Sequence, residues 1–390
     1  MFVYNILMKT INTVISIRPK PLRAGGEEND ISGGLDIYKN IAENVITITI
    51  SNSQQEIKHE YVKLNSDQPK NRRMKNTQVK LITKYLLLKL LIIDPSMREN
   101  TKLKYCRKVQ EVCDLFPEAI IVNETSGMFP LSIFSKRRIS RSNNFEPIHS
   151  FRENTGLRKY FYFIPKITGV ILERLLSNVF VISSQDLRYY KYFWSPKKIC
   201  VVPLRNIVMA NKNINFNVPN GEINGIAYLS STFNVKHNSD GVKFLVNKVF
   251  SKPEMDSFEL NIYGSKISSV FSKKNVIIHG WVDDIEEIYE DNSIFLAVFG
   301  GTGQQSKIFE PMSRGKVVIL NPKLVKNQNL VSGTHYLSAS NEIEYIEHIL
   351  DSKINPKKFQ EISHNGFRFC SDLFSYEKNL NTIIHYLNIA

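Results

Sequence analysis

The sequence lacks an apolar run long enough to cross a membrane. Its best candidate, LITKYLLLKLLII (81–93), is interrupted by Lys84 and Lys89, whereas a membrane-spanning helix needs about 20 apolar residues. The pattern instead predicts an amphipathic helix packed against a sheet. The N-terminus also lacks the basic, apolar and small-residue pattern of a signal peptide, so we expect a cytoplasmic protein.

Cysteine is scarce as well. The chain has four cysteines, at positions 106, 113, 200 and 370. No two of them form a CxxC pair and no histidines cluster beside them, so zinc and redox sites are not expected. We predict buried thiols in a reducing compartment.

Acidic residues are few in the first half of the chain. Residues 1–210 hold 33 Lys and Arg against 18 Asp and Glu, a net charge of +15, whereas residues 211–390 hold 18 and 19, a net charge of −1. This asymmetry favours an anionic partner, such as a lipid headgroup surface, a phosphorylated acceptor or nucleic acid. A solvated basic face is the plainer interpretation. The basic residues are not interleaved with an aromatic platform or a reading motif, so no nucleic acid is expected.

Short apolar segments alternate with helical ones in both halves. The strand-like segments are NTVISI (12–17), VITITI (45–50), AIIVN (119–123), VFVISS (179–184), CVVP (200–203), GIAYLSS (225–231), LNIYG (260–264), VIIHG (276–280), SIFLAVF (293–299) and KVVIL (316–320). Strands separated by helices imply parallel sheets covered on both faces. The 390 residues suit two α/β domains, each a doubly wound, Rossmann-like sheet, that face a cleft. We expect them at 1–205 and 224–372, joined by a polar linker at 206–223.

One glycine-rich stretch, GGTGQQSKIFEPMSRG (300–315), follows a predicted strand. Its glycines let backbone N–H groups approach a ligand, and a helix beginning near Gly303 or Gln304 would point its N-terminus at the same place. Gly303, Lys307 and Glu310 are then spaced i, i+4, i+7 on one helix face. Lysine suits a phosphate and glutamate suits a ribose diol, which together describe a nucleoside diphosphate. A glycine-rich turn with a surface Lys and Glu is the alternative.

The string G-x-G-x-x-x-K-x-x-E-x-M-x-x-G, followed by KVVIL, resembles the donor-sugar signature of GT-B glycosyltransferases, especially family four, the group one transferases. The likeness continues through GIAYLSSTFNVKHNSDGVKFLVNKV, LNIYGS and VIIHGWVDDIEEIYEDNSIFLAVF, in the family's order. In the first half, GGLDIYKNIAENV (33–45) looks like the family's glycine-led first helix, and RSNNFEP (141–147) looks like its R-x-H-N-x-E element.

The resemblance implies a donor site in two parts. The phosphate and sugar part comprises Gly33, Gly34, Lys236, Gly301, Thr302, Gly303, Gln304 and Lys307. The nucleoside part comprises Gly264, Gly280, Val282 and Glu310. Glu146 and His149 are the candidates for a catalytic base, and no metal site is expected. The final helix, within 373–390, should cross back onto the first domain, as in this fold.

Four positions depart from the family pattern. Thr302 stands where many members have Glu, Asn143 where a His is usual, and Ser230 where a Gly is usual. The Arg that often follows this Gly in the family is missing, so Lys236 or His237 could supply charge toward the phosphates instead. Pro311 stands where Ala is common. A proline inside a helix costs about 3 kcal/mol, which predicts a kink at 307–311 or a helix that restarts at Pro311.

The resemblance implies transfer of a sugar from a nucleotide sugar to a hydroxyl of a glycan or lipid-linked glycan. It implies retention of configuration without a metal or other cofactor. The basic first half fits peripheral association with the inner face of the membrane, since many relatives use lipid-linked acceptors. Two alternatives stay open: a non-catalytic GT-B protein that binds a glycan or partner, and another GT-B enzyme such as a nucleotide-sugar epimerase.

Overall fold

A computed structural model describes residues 11–20, 26–51, 56–63, 81–83, 85–87, 89, 92–143, 145–211, 225–268, 271, 273–300 and 304–389. The chain divides into two compact units. Residues 1–23, 27–209 and 376–390 form the first unit, and residues 24–26 and 210–375 form the second. Each unit is built on its own largely parallel sheet flanked by helices, which confirms the predicted pair of Rossmann-like α/β folds.

Seven strands form the sheet of the first unit. They are β1 (Ile11–Pro19), β2 (Ala42–Ser51), β3 (Glu56–Lys63), β4 (Ile120–Asn123), β5 (Arg138–Ser142), β6 (Asn178–Val181) and β7 (Ile199–Val201). Their order is β3-β2-β1-β4-β5-β6-β7. Neighbouring strands are parallel except β2 and β3.

Two of these strands were missed in the sequence. Strand β3 (EIKHEYVK) is largely polar, lies at the antiparallel edge of the sheet, and has only partly buried and exposed residues. Strand β5 reads RISRS and is polar, yet four of its five residues are buried. Polar residues can occupy a central strand when buried partners satisfy them, and here Arg141 pairs with the buried Asp30.

The helices of the first unit cover both faces of its sheet. They are α1 (Gly26–Ile41), α2 (Pro95–Asn100), α3 (Leu103–Leu115), α4 (Glu146–Glu153), α5 (Arg158–Leu176), α6 (Ser184–Lys191) and α7 (Arg205–Ala210), with a 3-10 helix at Ser126–Phe134. Helix α1 begins well before Gly33, where the sequence placed its start. Its first turns look polar, but Asp30 and Ile31 are buried, which ties them to the unit.

Three further predictions fall on this unit. Residues 81–83, 85–87 and 89 are helical, with Leu81 buried in the core but Leu86 and Leu87 about half-exposed. The first residues of the predicted linker 206–223 are helical in α7 rather than irregular, because Ile207 and Val208 are buried; residues 212–223 lie outside the described residues. All four cysteines are free and buried, as predicted.

The second unit has a six-stranded parallel sheet. Its strands are β8 (Ile226–Thr232), β9 (Leu260–Ser265), β10 (Val276–Gly280), β11 (Ile294–Ala297), β12 (Val317–Leu320) and β13 (Leu337–Ser338). The order β10-β9-β8-β11-β12-β13 is the 3-2-1-4-5-6 order of dinucleotide-binding folds. All five strands predicted in this half are present, because strands buried on both faces appear as continuous apolar runs.

Helices of the second unit follow most of its strands. They are α8 (Lys236–Phe244), α9 (Ile285–Asp291), α10 (Ser306–Ser313), α11 (Glu342–Ile354) and α12 (Pro356–Leu373). The last helix of the chain, α13 (Tyr376–Asn388), packs on the first unit. There Arg137 donates a hydrogen bond to the Leu387 carbonyl at 3.0 Å. Within the described ranges, no helix has both the length and the apolar character that a membrane crossing requires.

Helix α10 corrects two predictions. It begins at Ser306 rather than near Gly303 or Gln304, because Gln305 has an extended backbone and serves as the N-cap residue. The helix then continues through Pro311 to Ser313, so it does not restart at the proline. The buried Pro311 lies close to the helix end, where its carbonyl accepts the N–H of Arg314.

Candidate functional site

The second sheet reverses its strand order between β8 and β11. In open α/β sheets, ligands bind beside the carboxyl ends of the strands at this topological switch point. Gly264 lies at the end of β9, Gly280 ends β10, and Lys307 and Glu310 lie on α10, which follows β11. Because parallel strands share one carboxyl edge, the structure places these predicted residues along the same edge of the sheet.

Lys307 forms hydrogen bonds to the segments that follow β8 and β11, the two strands at the switch point. Its ammonium donates hydrogen bonds to the Phe299 carbonyl, just beyond β11, at 2.6 Å and to Asn238 Oδ1 on α8 at 3.4 Å. Both acceptors are neutral, and burial lowers the pKa of Lys307 to about 8. An incoming anion stabilises a desolvated ammonium, so this arrangement suits a phosphate group.

Glu310 lies one turn further along the same face of α10. It is buried, and its Oε2 accepts a hydrogen bond from the Tyr289 hydroxyl at 3.2 Å. The Arg314 guanidinium lies 4.3 Å from the centroid of the Tyr289 ring and pairs with Glu286. A carboxylate can accept about four hydrogen bonds. Tyr289 therefore holds the Glu310 carboxylate in position.

Both glycines on the predicted nucleoside side, Gly264 and Gly280, have backbone conformations that favour glycine. Gly264 has φ +140°, and a Cβ there would overlap the Ser230 carbonyl oxygen of β8. Gly280 has φ +76° with open space around it, so only its left-handed backbone favours glycine. Val282 follows and is partly buried. The first glycine lets β8 and β9 end close together, and the second turns the chain after β10.

The remaining phosphate-side predictions are only partly described. Gly301, Thr302 and Gly303 lie outside the described residues. Gln304 is buried and precedes the N-cap residue of α10. Lys236 begins α8, is largely exposed and forms an ion pair with Asp240 one turn along. Lys307 therefore meets neutral acceptors at the switch point, whereas Lys236 pairs with a carboxylate.

Two residues of this site were not singled out in the sequence. Asn238 orients the Lys307 ammonium, and Tyr289 binds the Glu310 carboxylate. Asn238 lies in the first turn of α8, and Tyr289 lies on the buried face of a short acidic helix. Neither position has a distinctive local pattern, because each acts through a partner about 20 to 70 residues away.

In the first unit, the switch point lies between β1 and β4, and buried side chains fill it. Glu124, directly after β4, accepts hydrogen bonds from Ser16 of β1 and from Arg205, both at 2.7 Å. Arg205 also pairs with Asp30 at 2.8 Å, and Asp30 pairs with Arg141 at 2.9 Å. Burial alone would raise the pKa of Asp30, but the two guanidiniums lower it to about 2. We call Asp30, Glu124, Arg141 and Arg205 the buried ion network.

Gly33 and Gly34 lie inside α1, against the start of α7. A Cβ on Gly33 would overlap the Asn206 backbone nitrogen, and one on Gly34 would overlap the Arg205 guanidinium. The two glycines therefore allow α1 to approach α7 closely enough for the buried ion network to form. The binding of a donor phosphate by Gly33 and Gly34 remains a prediction.

The two candidate bases lie on α4, with Glu146 at its first residue. Glu146 Oε2 is 3.7 Å from the Lys166 ammonium, which also contacts Asp94 at 3.2 Å. His149 Nδ1 is buried, and no hydrogen-bond partner for it occurs among the residues that the structure describes. Spacing of i, i+3 places both side chains on one side of α4. The structure thus pairs a carboxylate with an ammonium shortly after β5, and the imidazole of His149 lies on the same side of α4.

Comparison with known proteins gives one family match, which falls in the second unit. Residues 225–351 match the family model described as glycosyl transferases group 1. A search of curated proteins gave no match. Sucrose-phosphate synthase from Thermosynechococcus elongatus has the same fold, with a TM-score of 0.66 and 12% identity over 97% of this chain and 98% of that one.

Two other solved structures share the fold. HepE of Anabaena, solved with UDP-glucose, has a TM-score of 0.60 and 12% identity over 97% of this chain and 100% of its own. MnaA of S. aureus, solved with UDP, has a TM-score of 0.57 and 11% identity over 97% and 98%. Residues 225–351 therefore resemble a group 1 glycosyl transferase domain, and the chain as a whole has the GT-B fold of these solved structures.

Proposed function

We propose that the chain transfers a sugar from a nucleoside diphosphate sugar to a hydroxyl of a glycan or lipid-linked glycan. The observation that carries this proposal is the placement of Lys307 and Glu310 on one face of α10, at the switch point of the group 1 domain. The pair suits a diphosphate followed by a ribose. The structures of HepE with UDP-glucose and MnaA with UDP support uridine nucleotides as the first ligands to test.

Charge on the leaving diphosphate is what the site would stabilise. Lys307 and the N-terminus of α10 would face the phosphates, with Gly301, Thr302 and Gly303 leading into that helix. Gly33, Gly34 and Lys236 are further candidates on the phosphate side. Gly264, Gly280, Val282 and Glu310 would hold the nucleoside. We propose that the chain needs no metal or other cofactor for this reaction.

Retention of anomeric configuration is the proposed stereochemical outcome. An inverting reaction would instead require a base at the acceptor hydroxyl. Glu146 and His149 are the candidates for that base, and Lys166 lies beside Glu146. The anomeric configuration of the product, read by nuclear magnetic resonance, distinguishes the two outcomes.

We further propose that the protein works in the cytoplasm, at the inner face of a membrane. The net charge of +15 on residues 1–210 supports attraction to anionic lipids. A lipid-linked acceptor would then be presented by the surface that attracts the protein.

A panel of nucleotide sugars tests the proposal. Release of free nucleotide in the presence of glycan or lipid-linked acceptors is the expected result, together with a rise in melting temperature with UDP or another nucleoside diphosphate. Binding without turnover would favour a non-catalytic protein, and isomerisation of the donor sugar would favour an epimerase. If no donor reacts and no nucleotide shifts the melting temperature, the proposal fails.

A further inference from the structure

Helix α9 lies, along the chain, between two parts of the predicted nucleoside side. Residues 280–284, which include Gly280 and Val282, lead directly into α9, whereas Glu310 lies on α10. The nucleoside side therefore keeps its shape only if α9 stays fixed against α10. Because the backbone hydrogen bonds of an α-helix are made within the helix, side chains must supply this contact.

Arg314, the C-cap residue of α10, contacts both helices. Its Nε and Nη2 donate hydrogen bonds to the two carboxylate oxygens of Glu286 on α9, with Nε 2.9 Å from Oε2. The guanidinium also lies over the ring of Tyr289 on α9, 4.3 Å from the ring centroid. Its Nη1 donates to the Glu310 carbonyl oxygen of α10 at 3.4 Å. One side chain thus joins α9 to α10.

The contact with Tyr289 extends to the Glu310 carboxylate. The Tyr289 ring is buried under the guanidinium and also packs against Phe295 of β11, with ring centroids 5.2 Å apart. From this fixed ring, the hydroxyl donates to Glu310 Oε2 at 3.2 Å. Arg314 therefore acts on the position of the carboxylate through the Tyr289 ring.

Among cationic side chains, arginine alone can make these contacts together. A guanidinium is planar, so it can donate two parallel hydrogen bonds to a carboxylate and stack on an aromatic ring at the same time, whereas a lysine ammonium is a point charge. The side chains of Arg314 and Glu286 are 22% and 55% exposed, and exposed ion pairs contribute little to stability. The contribution of Arg314 is therefore one of geometry more than of charge.

We propose that Arg314 is a positioning residue of the nucleoside side, which fixes Tyr289 and through it directs the Glu310 carboxylate at the ribose hydroxyls of the donor. This inference deepens the proposed function and rests on it, because it requires a nucleotide at Glu310. The guanidinium itself acts at a distance from the ligand, through two intervening side chains.

The phosphate side is held by other contacts. Lys307 donates to the Phe299 carbonyl and to Asn238, and both of these residues lie outside α9 and α10. Loss of Arg314 should therefore weaken the binding of a ligand through its nucleoside, and leave the binding of a bare diphosphate intact.

UDP and inorganic pyrophosphate test this difference, since UDP carries a ribose and a diphosphate and pyrophosphate lacks the nucleoside. In calorimetric titration, Arg314→Ala should bind UDP about three- to tenfold more weakly, the loss expected for one hydrogen bond. Its Kd for pyrophosphate, measured by displacement of UDP, should equal that of the wild type. Arg314→Lys should behave like Arg314→Ala, because it keeps the charge without the planar fork.

A double variant tests the route through Tyr289. Tyr289→Phe keeps the ring but lacks the hydroxyl that reaches Glu310, so adding Arg314→Ala should cause no further loss of UDP affinity. A combined loss equal to the product of the two single losses would show that Arg314 acts independently of Tyr289, and would overturn the proposal.

Lys358→Ala is the matched control. It removes a partly exposed ion pair with Asp351 in the same unit, 2.7 Å long, and should change neither the UDP affinity nor the pyrophosphate affinity. Equal losses of both affinities in Arg314→Ala would indicate a general disturbance of the unit and would also count against the positioning role.

The wild type separates this inference from the proposed function. If the wild type binds UDP and Arg314→Ala binds it equally well, the positioning role of Arg314 fails and the proposed function stands. If the wild type binds neither UDP nor another nucleoside diphosphate, the proposed function fails and the positioning role falls with it.

Discussion

The Lys307 ammonium donates hydrogen bonds to two neutral oxygens, of Phe299 and Asn238. In an ordinary ion pair, the acceptor would be a carboxylate. Burial lowers the pKa of this ammonium to about 8, so the free protein loses the charge just above neutral pH. A bound diphosphate favours the charged form and raises the pKa again. Binding at higher pH must therefore be accompanied by proton uptake.

Nucleotide affinity should accordingly depend on pH. Affinity for UDP is expected to be greatest below about pH 8 and to fall above it by up to about tenfold per pH unit. The second ionisation of a phosphate, with a pKa of about 6, is complete in this range. Calorimetric titration between about pH 7 and about pH 9 measures the slope.

Lys307→Ala provides the comparison for that titration. It should bind UDP about ten- to a hundredfold more weakly, as expected for loss of a charged hydrogen bond, and its affinity should no longer fall with pH. Lys243→Ala, an exposed lysine on α8, should behave as the wild type. A pH slope that persists in Lys307→Ala would contradict the assignment of the titrating group.

Tyr289 is predicted to act through Glu310. Tyr289→Phe removes one hydrogen bond to that carboxylate and should weaken UDP binding about three- to tenfold. Tyr345→Phe is a matched control, because its buried hydroxyl donates to the Ala297 carbonyl at 2.9 Å and does not contact Glu310. Calorimetry should separate the two variants; an equal loss of affinity would indicate a general effect on the unit instead.

Among the helices, the close contact between α1 and α7 explains why Gly33 and Gly34 are both glycines. A substitution at Gly33 tests this explanation. Gly33→Ala adds a Cβ that overlaps the backbone of Asn206, so it should lower the free energy of unfolding by about 1–3 kcal/mol. Ser32→Ala, on the exposed side of α1, adds no such overlap. Urea unfolding measures both. Unchanged stability of Gly33→Ala, with loss of nucleotide binding, would instead favour the phosphate role.

Strands could be predicted from the sequence where they are apolar and buried on both faces of the sheet. VITITI and AIIVN became β2 and β4 because such runs suit central parallel strands. Strand β5 and the start of α1 were missed, since Arg141 and Asp30 look solvent-exposed until each is seen to satisfy the other. Likewise, spacing alone indicated Lys307 and Glu310, but not Asn238 and Tyr289, which matter only through tertiary contacts.

For the molecule as a whole, the first unit should determine how stability varies with pH. Burial raises the pKa of Glu173 to about 7, whereas an unfolded chain titrates near 4.5. The folded state thus retains this proton to higher pH, and the free energy of unfolding should fall between about pH 4.5 and about pH 7, by on the order of 3 kcal/mol.

Glu173→Gln should remove the larger part of that decline, and Asp186, whose pKa burial raises to about 6, should account for the rest. The glutamine keeps the shape of the side chain but cannot ionise, whereas Glu118→Gln changes an exposed carboxylate in the same unit and should leave the decline intact. Urea unfolding followed by circular dichroism at about pH 5 and about pH 7 compares them. A wild-type decline that survives in Glu173→Gln would assign the effect to other groups.

The buried ion network has a consequence for stoichiometry. The two sheets share the strand order that creates a ligand crevice, but in the first unit Arg205 and Glu124 already form a buried pair at the carboxyl ends of β1 and β4. The buried ion network thus takes the position where a ligand would bind. An external nucleotide would have to displace its charge pairs. One nucleotide per chain, rather than one per Rossmann-like sheet, is the saturation point to expect.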